Sequence, residues 1–451
     1  MSSPEVLPAQ EAAHADEQLR RVIGPWSLGL TSVNASVGAG IFVLPGVVAA
    51  ILGPSAILAY FICGLAVALV LTCFIEIGSF VRRSGGAVAY VEEAFGPLMG
   101  FFAWVLYSVG FEVVCNAALG SLFMDEAALV FPPLAHGVPR VTAIVLLFGG
   151  LAILNIAGVR KGVRFTVSVT IAKLLPLLLV VTGGLVIMHW NPLQWTGWPP
   201  VARLGEASLI LFFAFQGCEE ALMPSGEIRD PARTVPRAMF GAIAALILLY
   251  VSLQVVSQGV LGSKLAHEPT APLAAVAERF AGGAGRTLLL IGVAVSMFGA
   301  IAGGMTAAPR SFFRAAEDGM LPAALARVHP KFRTPHVAIV TVAVLMALLA
   351  ISGEFKPLAV LSSTSILCVY LAVCLGALRL RYTREQIPGS FRAPGGPVVG
   401  ILGAASVLWL LSHSTRVEIS AVAGTLALAA VYFFARRWTV SRSILASEGA
   451  A

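Results

Sequence analysis

Runs of about 20 mostly apolar residues recur along the whole chain, and they constrain its fold more than any other feature. A helix of that length crosses the hydrocarbon core of a bilayer. With 58% hydrophobic and only 12% charged residues, the composition departs from that of a soluble domain. Because lipid offers no hydrogen-bond partners, backbone N–H and C=O groups in such runs must pair within the segment. We therefore predict an all-α polytopic membrane protein.

The apolar runs predict twelve transmembrane helices in groups of five, five and two. The predicted spans are 25–50, 54–80, 97–123, 139–158, 165–189, 204–226, 236–261, 285–315, 335–352, 357–382, 397–413 and 417–435. The resulting divisions are an N-terminal tail (1–24), a first repeat (25–190), a second repeat (203–382), two additional helices (397–435) and a C-terminal tail (436–451). An odd number of spans in each repeat makes the second repeat inverted relative to the first.

The distribution of basic residues predicts the orientation. A net charge of +7 would also suit a protein that binds nucleic acid. However, most of the 30 Lys and Arg residues fall in the segments that share one side of the predicted membrane with both termini. Loops on the cytosolic side carry such an excess. We predict a multi-pass protein of the cytoplasmic membrane with both termini in the cytosol, with the lipid bilayer and not nucleic acid as its partner.

Glycine interrupts the span that opens each repeat. The first interruption is 38–42 (Gly-Ala-Gly-Ile-Phe), and the second is 215–220 (Phe-Gln-Gly-Cys-Glu-Glu). Glycine disorders a helix in mid-membrane, and the backbone groups that it frees need a partner other than lipid. Paired interruptions at corresponding positions of two repeats indicate the substrate site of a transporter. We predict that helices 1 and 6 are discontinuous and meet at that site.

The first interruption suits a carboxylate. If the helix unwinds there, the backbone N–H groups of Ala39, Gly40 and Ile41 lie at the positive end of the following half-helix, which favours an anion. The alternative is close helix packing, for which small residues are equally suitable. The helix breaker Pro45, which lies shortly after Gly40, favours an unwound helix over close helix packing.

The second interruption brings two adjacent carboxylates, Glu219 and Glu220, near the predicted midplane. Ionisable groups at this depth are costly and usually functional. Neighbours on a helix point about 100° apart, so both cannot face one site, and we favour Glu219. The unwound carbonyls of Phe213 and Gln216 could hold an ammonium group. Alternatively, one glutamate only hydrogen-bonds a neighbouring helix.

Three further polar residues lie within predicted spans. Lys173 in the fifth span could replace a bound cation or carry a proton, unless it lies one turn from the interface. Glu112 and Asn116 are one turn apart in the third span. They either face the site or bond a neighbouring helix.

Motifs for other chemistries are missing from the sequence. It has no Walker A motif and no H-E-x-x-H, and its six cysteines all fall within predicted spans without metal-ligand spacing. We therefore expect no cofactor, no metal and no enzymatic activity. A channel or an intramembrane enzyme is the alternative from another functional class.

Four motifs, in this order, resemble those of the amino acid–polyamine–organocation (APC) family. They are 37–45, the loop 76–96, the stretch 212–236 and the segment 310–335. The resemblance implies the five-plus-five inverted-repeat fold associated with leucine transporters. It also implies a secondary active amino acid permease that works by alternating access, either coupled to protons or exchanging amino acids. A transporter of amines or polyamines is the alternative.

The resemblance also implies roles for individual residues. The substrate carboxylate would meet the N–H groups of Ala39 and Gly40, and its ammonium would meet the carbonyls of Ser36, Phe213 and Gln216. Phe213 would close the site as a gate, and Lys173 would take the place of a sodium ion. The predicted substrate-binding set is Ser36, Val37, Gly38, Ala39, Gly40, Ile41, Asn116, Phe213, Gln216, Gly217 and Glu219, with Lys173 and Glu219 in coupling.

Overall fold

The structure, a computed structural model, describes residues 23–38, 40–79, 81, 85–158, 163–193, 197–223, 228–268, 271–384 and 390–448. Helices account for most of these residues. Within the described ranges the β-structure is limited to a single bridge between Ile23 and Ile228. The predicted all-α class is therefore confirmed for this part of the chain.

The helices follow one another along the described residues with short connections. In chain order, the α-helices are α1 (Pro25–Ser36), α2 (Gly40–Leu52), α3 (Ala56–Gly78), α4 (Gly86–Phe95), α5 (Pro97–Trp104), α6 (Val114–Ala128), α7 (Gly137–Ile156), α8 (Val163–Ile187), α9 (Val201–Phe215), α10 (Pro231–Leu261), α11 (Pro272–Glu317), α12 (His336–Ser352), α13 (Phe355–Thr383), α14 (Pro397–Leu411) and α15 (Arg416–Glu448). A π-helix, Val105–Val113, joins α5 to α6, and a 3₁₀ segment, Cys218–Leu222, follows α9.

The helices have the length and composition of membrane spans. In the part of the chain that is described, eight helical stretches are long and apolar enough to cross a membrane. Three shorter apolar helices are Lys173–Ile187, His336–Ser352 and Pro397–Leu411. Large apolar side chains such as Leu146 of α7 and Leu428 of α15 point outward and are exposed. This is the outer surface of a polytopic membrane protein, for which the bilayer is the solvent.

Two described helices extend beyond the predicted spans. The eighth span was placed at 285–315, and α11 begins at Pro272, with ten helical residues before a non-helical Gly282 (φ 62°, ψ −156°). The charged residues on either side of that glycine lower the hydropathy and hide the helix from the sequence pattern. Residues 436–448, predicted as part of a tail, continue α15 to Glu448.

The two predicted interruptions are present and lie side by side. The helix stops between Ser36 and Gly40, and again between Phe215 and Cys218. Helix α1 packs against the 3₁₀ segment Cys218–Leu222, whereas α2 packs against α9, so each half of one broken span contacts a half of the other. A Cβ atom on Gly217 would lie 3.3 Å from the Ala35 carbonyl oxygen.

A buried ion pair fixes the C-terminal end of α3. Glu76 Oε1 lies 3.5 Å from Arg381 Nε of α13, and the two side chains are only 8% and 12% exposed. The other carboxylate oxygen accepts a hydrogen bond from the Ala393 N–H at 3.1 Å. Glu76 therefore connects α3 to α13 and to the segment that precedes α14.

We expect Glu76→Ala to lower the free energy of unfolding by about 3 kcal/mol, because it leaves the Arg381 guanidinium buried without its counter-ion. Glu206→Ala is the matched control. Glu206 pairs with Lys356 at 3.6 Å, but both side chains are 56% exposed, so the cost should be at most about 1 kcal/mol. Thermal denaturation of the purified protein in detergent measures both, and equal melting temperatures would contradict a structural role for Glu76.

Candidate functional site

The first break exposes backbone between α1 and α2. Val37 leaves the helix (φ −73°, ψ 77°), and the Gly38 N–H turns back to donate to the Ser36 carbonyl at 2.7 Å. Val37 and Ile41 are fully buried, whereas Gly38 is partly exposed. Ala39, one of the predicted binding residues, lies outside the described residues. Gly40 begins α2, so its N–H group is at the N-terminal end of that helix, where donors have no partner inside the helix.

The second break depends on a conformation that favours glycine. Gln216 is extended (φ −71°, ψ 158°), and Gly217 is left-handed (φ 94°). A side chain at Gly217 would strain the backbone there. The chain then continues in a 3₁₀ segment, in which neighbouring side chains point about 120° apart, and not in the α-helix assumed from the sequence.

Tyr250 of α10 connects the two breaks. Its hydroxyl lies 3.1 Å from the Ser36 carbonyl oxygen and 3.0 Å from that of Ala214, and the side chain is fully buried. A hydroxyl has one proton and therefore donates to one of the two carbonyls at a time. Sequence reasoning missed Tyr250, since a tyrosine in an apolar span carries no signal of which helix its hydroxyl will meet.

Phe213 covers the start of α2. A Cβ atom on Gly40 would lie 2.8 Å from Phe213 Cδ1, which is closer than packed side chains tolerate. The ring also meets Phe355 edge-on, with centroids 5.5 Å apart. Glycine at position 40 is therefore what allows the aromatic ring to close over the first break.

Two amide side chains lie near the second break: Gln216 is part of the break itself, and Asn116 belongs to α6. Gln216 Nε2 donates to Ser362 Oγ at 3.4 Å and lies 3.7 Å from Cys115 Sγ. Asn116 Nδ2 donates to the Glu112 carbonyl at 2.7 Å. The structure therefore brings the second break against α6 directly beside Asn116. Asn116 in turn fills the space at Gly304 of α11, where a Cβ atom would lie 2.1 Å from Nδ2.

Lys173 of α8 contacts α1, the first half of the first broken helix. Its side chain is only 4% exposed, so the ammonium is buried inside the protein. The ammonium Nζ donates to the Asn34 carbonyl of α1 at 3.4 Å. Lys173 therefore connects α8 to the helix that ends at the first break.

The adjacent glutamates have different surroundings. Glu219 is buried, and the Tyr370 hydroxyl of α13 donates a hydrogen bond to its Oε2. Glu220 is partly exposed, although Cys218, Glu219, Ala221 and Leu222 around it are all buried. Cys115 is likewise partly exposed between buried neighbours. Glu220 and Cys115 are therefore the partly exposed positions among these buried neighbours.

Sequence reasoning also missed a hydroxyl-rich stretch of α13. Ser362, Ser363, Thr364 and Ser365 are all buried, and Ser362 accepts the hydrogen bond from Gln216. Ser365 packs against the π-helix, where a Cβ atom on Gly110 would lie 2.6 Å from Ser365 Oγ. Four consecutive hydroxyl residues within an apolar span were the signal that could have identified this stretch, and π-helical turns are frequent at functional sites.

Comparisons with known proteins agree on a single family. The family model described as amino acid permease matches residues 23–434. The chain is 28% identical over 426 residues to the methylthioribose transporter of Bacillus subtilis (strain 168), covering 90% of each protein. Two other proteins of that organism are similar: the serine/threonine exchanger SteT (27% over 450 residues, 94% of this chain and 98% of SteT) and the branched-chain amino acid permease BcaP (24% over 430 residues, 90% and 91%).

Tyr250→Phe tests the connection between the breaks. The substitution keeps the ring contact with Phe215, whose centroid is 4.9 Å away. It removes the hydroxyl that donates to the carbonyl of Ser36 or Ala214. We expect a loss of about 1–2 kcal/mol in the free energy of unfolding. Tyr382→Phe, at a side chain that is 74% exposed, is the control and should be neutral. If thermal denaturation in detergent finds the two variants equally stable, the hydroxyl does not support the breaks.

Proposed function

The chain belongs to the amino acid permease family, and from that premise we propose that it is a secondary active transporter of amino acids that works by alternating access. The observation that carries this proposal is the contact between two discontinuous helices, each broken at a glycine. Half-helix ends that meet inside a membrane protein supply both kinds of backbone group that an amino acid needs, N–H donors for its carboxylate and carbonyls for its ammonium.

The substrate's backbone groups are assigned to the two breaks. The carboxylate binds the N–H groups at the start of α2, at Ala39, Gly40 and Ile41, next to Val37 and Gly38. The ammonium binds carbonyls of Ser36, Phe213 and Gln216. Two features support the second assignment. The turn at Gly217 removes the helical donor of the Phe213 carbonyl, and a Tyr250 hydroxyl that donates to Ala214 leaves a lone pair of Ser36 available.

Phe213 is proposed as the gate, because its ring already lies against Gly40 at the junction of α2 and α9. The remaining proposed contacts of the substrate come from Gln216, Gly217, Asn116 and Glu219. Opening requires α9 to move relative to α2, which would release the ring and expose the N-terminus of α2.

The arrangement in the membrane extends this proposal. We assign twelve spans, with residues 25–190 and 203–382 as inverted repeats and two further helices in 397–435. Each predicted span coincides with one or more of the described helices, and each repeat opens with a broken helix. The excess of basic residues on one side supports an orientation with both termini in the cytosol, in the cytoplasmic membrane.

Lys173 is proposed as the coupling residue, with protons or a second amino acid as the coupled species. Its ammonium holds α1 through the Asn34 carbonyl, and a change in its charge would weaken that contact. Glu219 is the second candidate, because its hydrogen bond to Tyr370 connects the second break to α13. Alternating access then follows from changes in the contacts of the two broken helices with α8 and α13. No cofactor and no covalent chemistry enter this proposal.

Membership of the family does not determine which substrate is transported. The names of SteT and BcaP refer to amino acids, whereas that of the methylthioribose transporter refers to a thiosugar. If the cargo were an amine or polyamine, Glu219 or Glu112 would anchor it and the N–H groups of the first break would be idle. A thermal-shift panel of amino acids and their decarboxylated amines, at two pH values, separates these cases, because a bound ligand raises the melting temperature.

Lys173→Ala should abolish coupled accumulation of the substrate in proteoliposomes while exchange of internal for external substrate continues. The substitution removes the ammonium that couples α8 to α1 but leaves the backbone groups of both breaks intact. Lys264→Ala, at an exposed lysine, is the control and should accumulate substrate normally. Normal proton-dependent accumulation by Lys173→Ala would exclude the lysine from coupling.

Gly40→Leu should abolish substrate binding, because the new side chain collides with Phe213 and covers the N-terminus of α2. The matched control is Gly149→Leu in α7, where a Cβ atom has nothing within 4 Å. Binding of radiolabelled substrate to purified protein measures the effect, and size-exclusion chromatography verifies folding. Unchanged affinity in a folded Gly40→Leu protein would exclude the first break as the carboxylate receptor.

A further inference from the structure

A cavity of about 440 Å³ lies between the ends of α2 and α9 that are remote from the breaks. One part of its wall is the last turn of α2 together with the 3₁₀ turn that follows, Gly53–Ser55. The other part is the segment 197–200 together with Arg203 of the first turn of α9. Sites for small molecules typically measure about 300–1,000 Å³, so the cavity has the size of a ligand site.

The two half-helices run in opposite directions, which separates this cavity from the breaks. Gly40 at the start of α2 lies against Phe213 near the end of α9. Leu52 at the end of α2 shares the cavity with Arg203 at the start of α9. A helix of 13 residues such as α2 is about 20 Å long. The cavity is therefore a separate site, which the proposed topology places on the outer side of the membrane.

Arg203 gives the cavity a positively charged group. Its side chain lines the cavity, is exposed, and makes no hydrogen bond or ion pair with another described residue. A guanidinium group binds a carboxylate or phosphate through two parallel N–H donors. Within the described part of the chain, Arg203 is therefore available to bind an anionic group that enters the cavity.

The wall formed by α2 favours a cation instead. Helix α2 ends there, and the C-terminal end of a helix carries a partial negative charge. Next to this wall, Gln258 Nε2 donates to the Gly53 carbonyl at 2.9 Å. The Oε1 atom of the same amide has no hydrogen-bond partner among the described residues, although the side chain is only 3% exposed. This end of the cavity therefore has more acceptors than donors.

Trp198 adds an aromatic surface to the same cavity. Its side chain is 78% exposed and lines the cavity. Pro199 and Pro200 follow directly, and their rings fix φ, which limits the freedom of the segment that carries the indole. Tryptophan is the side chain that binds an ammonium most strongly through its ring face. The cavity thus combines one group for an anion with two features that favour a cation.

We propose that this cavity is a second binding site, for a zwitterion. Arg203 binds its carboxylate or phosphate, and Trp198 with the C-terminal end of α2 binds its ammonium. Two sources supply this chemistry, an amino acid that arrives from outside and the ethanolamine headgroup of a phospholipid. The inference goes beyond the proposed function and does not require it, because the site lies about one helix length from the breaks and the bound molecule need not be transported.

Fluorine NMR of the full-length protein tests the site directly. The protein is labelled with 5-fluorotryptophan and purified in a non-ionic detergent. Of its seven tryptophan resonances, the one that disappears in Trp198→Phe belongs to Trp198 and reports on the cavity. Titration of this resonance with a ligand gives the Kd at this site, whatever binds at the breaks.

Three small ligands of matched shape separate the two charges. L-alanine carries both, propionate lacks the ammonium, and ethylamine lacks the carboxylate. We expect L-alanine to bind at least about tenfold more tightly than either of the others, because each of them lacks one charge-assisted contact. Glycerophosphoethanolamine then distinguishes the sources: binding at least about tenfold tighter than that of L-alanine assigns the site to a phospholipid headgroup, and any weaker binding assigns it to an amino acid.

The variant Arg203→Gln should weaken the binding of L-alanine at this site at least about tenfold. Arg279→Gln is the matched control, since Arg279 is an exposed arginine of α11 that does not line the cavity, and it should leave the Kd unchanged. Size-exclusion chromatography verifies folding. If Arg203→Gln does not fold, Arg203→Lys, which loses the bidentate contact, is measured in the same way.

Three results would overturn the zwitterion site. They are equal affinities for L-alanine, propionate and ethylamine, no shift of the Trp198 resonance with any of the ligands, and an unchanged Kd in a folded Arg203 variant. The variant Gly40→Leu should leave the Kd at Trp198 unchanged, because the first break lies at the other end of α2. Failure of the outer site is therefore distinguishable from failure of the proposed function, which is tested by substrate binding at the breaks.

Discussion

The structure depends on one constraint, which is that lipid cannot satisfy the backbone groups freed where a transmembrane helix stops. At both breaks, backbone groups find hydrogen-bond partners within the protein. The carbonyls of Ser36 and Ala214 share the Tyr250 hydroxyl, and the Gly38 N–H returns to Ser36. Placing the breaks against each other therefore reduces the number of partners that the surrounding helices must supply.

The same constraint explains where glycine is required. Gly217 takes a left-handed conformation that turns the chain, and the 3.3 Å approach of its would-be Cβ atom to the Ala35 carbonyl shows how close α1 lies. Gly40 lets the Phe213 ring reach the start of α2. Each glycine therefore allows a close contact between the two broken spans.

The sequence was sufficient for features that carry a local signal. Glycines within apolar runs predicted the breaks, and a lysine within a span predicted the buried position of Lys173. The partners of these groups could not be predicted, because they come from distant helices: Tyr250 from α10, Tyr370 and Ser362 from α13. The start of α11 was not recognised for a different reason, since Gly282 and the charged residues on either side of it interrupt the apolar pattern.

The contrast between Glu219 and Glu220 illustrates how selectivity can be separated from architecture. In a 3₁₀ segment successive side chains diverge by about 120°, so one carboxylate meets Tyr370 while the next is partly exposed. A group bonded within the protein stabilises the same contacts whatever ligand is present. A group without a protein partner gains its hydrogen bonds only when a ligand arrives, and the free energy of that step depends on the ligand's charge.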